Sequence, residues 1–192
     1  MSERNWGFKT KALHAGTQPD PQTGARALPI YQSSAFVFEN TEDAGNLFAL
    51  QKYGNIYSRI GNPTVSAFEE KIAALEGGIG AVATSSGMAA QFLTFAALTG
   101  TGDHVVASSA LYGGTLTQLD VTLRRFGVDT TFIKSDKAQD FAAAITDKTK
   151  FIYAEMISNP ACQIGDIEAL AKVAHDAGLP LIIDSTVATP YL

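Results

Sequence analysis

The chain has 192 residues, 46% hydrophobic and 17% charged, with a formal net charge of -5. That length can hold one sizeable core, since a domain of about 150 residues buries about 68–70% of its unfolded surface. The acidic balance leaves no electrostatic footprint for nucleic acid or an anionic membrane. A single cysteine excludes an internal disulfide, and no apolar run reaches the roughly 20 residues that would span a bilayer.

Residues 1–40 read as an arm: Gly16, Pro19, Pro21, Gly24 and Pro29 interrupt any helical period. Thr41 looks like a helix cap, with Glu42 and Asp43 in the first turn, Leu47, Phe48 and Leu50 beyond, and Gly54 as the stop. Residues 55–60 read as exposed, extended chain. Asn62 and Pro63 then open a helix as cap and first residue, with Val65, Phe68, Ile72 and Leu75 on one face and Gly77-Gly78 ending it.

From there strand and helix alternate. Strands are expected at 81–84, 104–107, 128–133, 151–156 and 181–184, and helices at 88–98, 116–126, 140–145 and 167–177. Strict alternation with uniformly apolar strands predicts an α/β fold, a mostly parallel sheet with helices on both faces.

In such sheets ligands bind beyond the carboxyl ends of the strands. That rule selects residues 85–88, 111–115, 157–160 and 184–186. Ser85-Ser86-Gly87-Met88 stands between a strand and a helix, where free amides can hold a phosphate, although small residues also begin ordinary helices. Gly77-Gly78-Ile79-Gly80 follows a helix and precedes a strand, the wrong order for a dinucleotide fingerprint, and no Walker A pattern exists. Asp184 ends the apolar run Leu181-Ile182-Ile183 and needs a partner, either a cap or ion pair within the protein or a ligand's protonated ring nitrogen. Tyr57 and Arg59, two apart in extended chain, share a face and suit a phosphate, unless they are a plain surface pair. Tyr112, before Gly113-Gly114, can lean over a ligand or simply pack. Asn159-Pro160 offers an amide to a ring hydroxyl or forms a plain turn. Cys162 reads as an inert thiol, and His14, His104 and His175 lack ligand spacing, so no metal site is expected.

The ordered series matters more than its members. Tyr57-Ser58-Arg59 with Asn62-Pro63-Thr64, then Ser86-Gly87-Met88, Tyr112-Gly113-Gly114-Thr115, Ser158-Asn159-Pro160 and Asp184-Ser185-Thr186 resembles the Cys/Met-metabolism family of pyridoxal 5'-phosphate (PLP) enzymes. Gly54-Asn55-Ile56-Tyr57-Ser58-Arg59 and the preceding Asn46-Leu47-Phe48-Ala49-Leu50-Gln51 are most similar to its O-acetylhomoserine sulfhydrylase branch. The resemblance implies the fold-type-I PLP transferase fold, here as residues 1–55 (arm and first helix) and residues 56–192 (the large, PLP-binding domain). It implies that Ser86, Gly87, Met88 and Thr186 contact the cofactor, that Tyr112 stacks on its ring with a possible part in proton transfer, and that Asn159 meets the ring hydroxyl. Asp184 would pair with the ring nitrogen, and Tyr57 and Arg59 would reach the cofactor of a neighbouring subunit in a homo-oligomer. Ser185 departs from the asparagine expected after that aspartate.

The activity implied is γ-replacement, turning O-acetylhomoserine and sulfide into homocysteine and acetate in a cytoplasmic enzyme. The family's Ser-x-Thr-Lys segment, with its Schiff-base lysine, is absent from the sequence, and none of Lys134, Lys137, Lys148, Lys150 and Lys172 has that context. The chain by itself is therefore expected to be inactive. A sister enzyme (cystathionine γ-synthase, a γ-lyase or O-succinylhomoserine sulfhydrylase) and a noncatalytic PLP-binding fragment are the alternatives.

Overall fold

The computed structural model describes residues 5–192, which divide into two compact units, one ending at Ala83 and the other Thr84–Leu192.

The first unit contains α1 (Phe8–His14), α2 (Thr41–Phe48) and α3 (Pro63–Glu76). Helix α1 lies in the stretch expected to be irregular. It is only seven residues long, capped by Gly7 without a side-chain bond, so neither a period nor a cap marks it in the sequence. It packs on α3. Gly16, just beyond it, has φ +70, and a Cβ there would lie 2.2 Å from the Ala67 carbonyl oxygen, so the contact requires glycine.

The cap of α2 is Asn40, not Thr41: the Asn40 side chain accepts from the Asp43 amide at 2.8 Å. The helix stops at Phe48, well before Gly54, and Leu50 takes φ +57. The cap of α3 is as expected, with Asn62 accepting from the Thr64 amide at 2.9 Å and Gly77 in the left-handed C-terminal position. Its buried residue is Ala67, whereas Val65 and Phe68 of the expected apolar face are exposed. Residues 81–84 form no strand; the Ala83 amide bonds the Glu69 carboxylate at 2.7 Å in place of a ladder partner.

The second unit is α4 (Gly87–Leu98), β1 (His104–Ser108), α5 (Gly113–Thr117), β2 (Asp129–Ile133), α6 (Ala138–Ala143), β3 (Thr149–Glu155), α7 (Ile167–Asp176) and β4 (Leu181–Asp184). Helix α5 runs on into a π-helical segment, Gln118–Leu123, where a regular α-helix over 116–126 was expected. The wider turns keep Gln118, Leu119 and Leu123 buried together.

The four strands are parallel in the order β2-β1-β3-β4. Strand side chains alternate faces, and the core divides accordingly. Val105, Ala107, Phe151 and Tyr153 pack with Phe95 of α4 and with Leu119 and Leu123 on one face. Val106, Ile152 and Ala154 pack with Phe141 of α6 and with Leu170 and Ala174 of α7 on the other. Phe95 stacks on Phe151 and meets Tyr153 edge-on, each with ring centroids 5.2 Å apart. Such pairs contribute about 0.5–1.5 kcal/mol beyond their burial.

Strands β1 and β3 are neighbours, yet the helices that follow them cover opposite faces. The chain therefore reverses its winding between them, and their carboxyl ends border the crevice where such sheets bind ligands.

Candidate active site

Beyond those strand ends lies a cavity of about 290 Å³, lined by residues of all four segments selected from the sequence. The start of α4 supplies Ser86, Gly87 and Met88. The loop after β1 gives Tyr112, that after β3 gives Ile157 and Asn159, and the end of β4 gives Asp184, Thr186 and Val187.

At the start of α4 the Ser86 hydroxyl caps the helix by accepting from the Ala89 amide at 3.1 Å, and the Ser86 carbonyl accepts from Ala90. The amides of Gly87 and Met88 have no protein acceptor among the described residues. They are the orphan donors of a helix N-terminus, suited to an anion. A Cβ on Gly87 would stand in open space, so there is room above these amides.

Tyr112 precedes α5 and is 49% exposed toward the cavity it lines. A Cβ on Gly114 would lie 2.4 Å from Cε1 of Tyr112, so glycine is what lets the ring lie back along the start of α5.

Two carboxylates stand at the ends of adjacent strands, since Glu155 of β3 is the register partner of Asp184 of β4. Glu155 is buried. Its Oε1 accepts the Tyr112 amide at 2.7 Å and its Oε2 the Asn159 amide at 2.9 Å, so one side chain fixes two of the lining loops across the crevice. The Asn159-Pro160 peptide bond is cis.

Asp184 bonds side chains as well. Its Oδ1 accepts the amide and the hydroxyl of Thr186, and its Oδ2 accepts the Gln91 amide nitrogen at 2.6 Å. Among the described residues no cation pairs with it. The Tyr153 hydroxyl lies 3.4 Å from Oδ2. Burial, together with the nearby Asp184 and Glu155 charges, pushes that hydroxyl far above the ordinary tyrosine range, so it stays protonated.

Gln91 and Glu155 were missed in the sequence. Gln91 sits one helical turn after Gly87, a position that spacing from the phosphate segment points to. Glu155 closes an apolar strand as Asp184 does, and that shared signal could have found it.

Tyr57 and Arg59 belong to the first unit. Tyr57 bridges Ala35, and a turn follows at once, closed by the Ile60 amide on the Tyr57 carbonyl. The two side chains still meet, but through that turn rather than along extended chain: the guanidinium carbon is 5.9 Å from the Tyr57 ring centre.

Residues 9–192 match the family model described as Cys/Met metabolism PLP-dependent enzyme. The chain belongs to that family. Its relatives include a sulfhydrylase of Fusarium oxysporum, 55% identical over 93% of this chain and 41% of that protein. Another is the O-acetyl-L-homoserine sulfhydrylase of Corynebacterium glutamicum, 50% identical over 97% of this chain and 43% of that protein. A Campylobacter jejuni protein described as an O-acetylhomoserine (thiol)-lyase, crystallised with a pyridoxyl-lysine phosphate, superposes with a TM-score of 0.94 at 39% identity. The alignment covers 98% of this chain and 46% of that one. The Cys/Met-metabolism chain described here thus spans less than half the length of these relatives.

The cofactor of the family is PLP. The residues present fit it: a helix start with two unclaimed amides, a tyrosine ring at the wall, and a carboxylate that no cation among the described residues neutralises.

Proposed function

We propose that this chain forms the cofactor-binding part of an enzyme that carries out γ-replacement on O-acetylhomoserine, with sulfide as acceptor and homocysteine and acetate as products. The observation that carries the reading is Asp184, an aspartate with only neutral donors among the described residues, lining a cavity that also exposes the free amides of α4.

The amides of Gly87 and Met88 would hold the phosphate, with Ser86 and Thr186 beside them. Tyr112 would pack on the pyridine, and Asn159 would donate to its hydroxyl oxygen. Asp184 would accept from the ring nitrogen and keep it protonated. Bound PLP supplies the electron sink for charge that develops at the substrate's α-carbon. Tyr57 and Arg59 extend toward the phosphate bound by a neighbouring copy, which makes the working form a homo-oligomer. The sulfhydrylase relatives support the ester and sulfide chemistry. The likeness to a cystathionine gamma-lyase of Lactobacillus plantarum, TM-score 0.87 at 39% identity, supports the sister activities as the competing reading.

Among the described residues no lysine lines the cavity. We therefore expect this chain alone to hold PLP reversibly and to turn over no substrate. The test has two stages. The protein is saturated with PLP, then dialysed with and without prior borohydride reduction. Cofactor lost in both cases supports the reading, and a borohydride-fixed adduct at one lysine overturns the noncovalent part of it. A protein of the relatives' full length carrying this chain is then assayed with acetyl and succinyl esters of homoserine, and with sulfide and cysteine. Homocysteine formed preferentially from the acetyl ester and sulfide is the expected result. Preference for the succinyl ester or for cysteine transfers the chain to a sister activity.

A further inference from the structure

Gln91 lines the cavity from α4 and none of the roles above uses it. Its Nε2 lies 2.6 Å from Asp184 Oδ2 and 2.8 Å from the Tyr153 hydroxyl, and its Oε1 receives the Thr115 hydroxyl at 3.1 Å. An ionised carboxylate only accepts, so the atom facing Asp184 is the amide nitrogen, and both of its hydrogens are engaged. One side chain thereby ties together α4, α5, β3 and β4.

The lone pairs of Asp184 can be assigned in turn. Oδ1 takes two donors, the amide and hydroxyl of Thr186. Oδ2 takes one short bond, from Gln91, and its remaining neighbour is the Tyr153 hydroxyl at 3.4 Å. An O–H···O bond ordinarily spans about 2.5–3.0 Å, so that second lone pair is scarcely used. Removing the glutamine would leave the tyrosine hydroxyl as the nearest donor, free to move onto Oδ2. It would also release one side of the clamp that sets the plane of the carboxylate.

We infer that Gln91 is a positioning residue, which fixes the Asp184 carboxylate and keeps the Tyr153 hydroxyl off Oδ2, so that one lone pair stays open to the N–H of a planar heteroaromatic cation. The inference rests on PLP occupying this cavity, and it adds the accepting atom and the residue that presents it.

The test compares two probes, PLP and its ring N-methyl analogue, which carries the ring charge without an N–H. Both are titrated by fluorescence quenching into the wild-type chain and into Gln91→Met and Gln91→Asn. The first variant keeps the side chain's length and the second keeps the amide but cannot reach. Circular dichroism and melting temperature report whether each variant folds. Wild type is expected to prefer PLP about tenfold, or about 1.4 kcal/mol, the scale of one hydrogen bond to a charged group. In both variants that preference is expected to shrink to about twofold or less. Variants that weaken both probes equally and keep the tenfold preference would make Gln91 merely structural and overturn the inference. Equal binding of both probes by wild type overturns it alone, because Oδ2 then receives no ring N–H. Wild type that binds neither probe overturns the cofactor reading, and the inference with it.

Discussion

The ends of β3 and β4 lie side by side and carry one carboxylate each, yet the two sites use their charge in opposite ways. Glu155 points its oxygens at two backbone amides, spends them on Tyr112 and Asn159, and is buried. Asp184 is held by a glutamine and a threonine and retains accepting capacity toward the cavity. One carboxylate anchors the loops of the wall and its register partner keeps an acceptor toward the cavity. Residue type and position do not separate them; only the direction of the surrounding donors does.

Four substitutions sharpen or break that contrast. The largest effect is expected for Glu155→Leu, which leaves two loop amides without acceptors. Each unsatisfied buried group costs about 1–3 kcal/mol, and these two part-buried amides stand in the lower half of that range, so a loss of about 2–4 kcal/mol in urea unfolding is expected, with PLP binding abolished. Asp184→Asn is expected to change unfolding by under about 1 kcal/mol and to lower PLP affinity at least tenfold, the reverse pattern. If Asp184→Asn destabilises the chain as much as Glu155→Leu, the contrast between builder and binder is void.

Ser86→Ala removes a helix cap, so about 1 kcal/mol of stability is expected to go with it, along with a weaker grip on phosphate. Inorganic phosphate as a competitor of PLP reads out that second effect. The smallest change is expected for Tyr153→Phe and appears only in alkali. The folded hydroxyl titrates far above the ordinary value near 10, because burial and the neighbouring carboxylates oppose its ionisation. Below that ordinary value both folded and unfolded chains keep the proton and stability does not respond. Above it the unfolded chain ionises while the folded one does not, so stability falls as pH rises. Wild type is expected to lose stability between about pH 10 and 11 more steeply than Tyr153→Phe does. Parallel pH profiles would remove Tyr153 from this network.

The parallel sheet was legible because its strands are short apolar runs that alternate with helices and follow glycines, as β1, β2 and β4 follow Gly102, Gly127 and Gly178. The four lining segments followed from the strand ends. What escaped were features that depend on partners distant in sequence. Helix α1 is too short to show a period. Residues 81–84 have the composition of a strand but bond to Glu69 instead of to a neighbour. The burial of Ala67 in place of Val65 and Phe68 depends on the close approach of Gly16. Gln91 and Glu155 looked ordinary because their significance lies in what they touch.

Glu155 grips main-chain amides rather than side chains, and this leaves the rim of the cavity open to change. An amide is present whichever residue other than proline occupies positions 112 and 159, so both loops stay anchored when their side chains are exchanged. The scaffold thus separates where a group is presented from which group it is. Position 112 can pass through histidine, phenylalanine or tryptophan with the amide anchor intact, which makes it a natural place to vary the side chain at the cavity wall while the floor stays fixed.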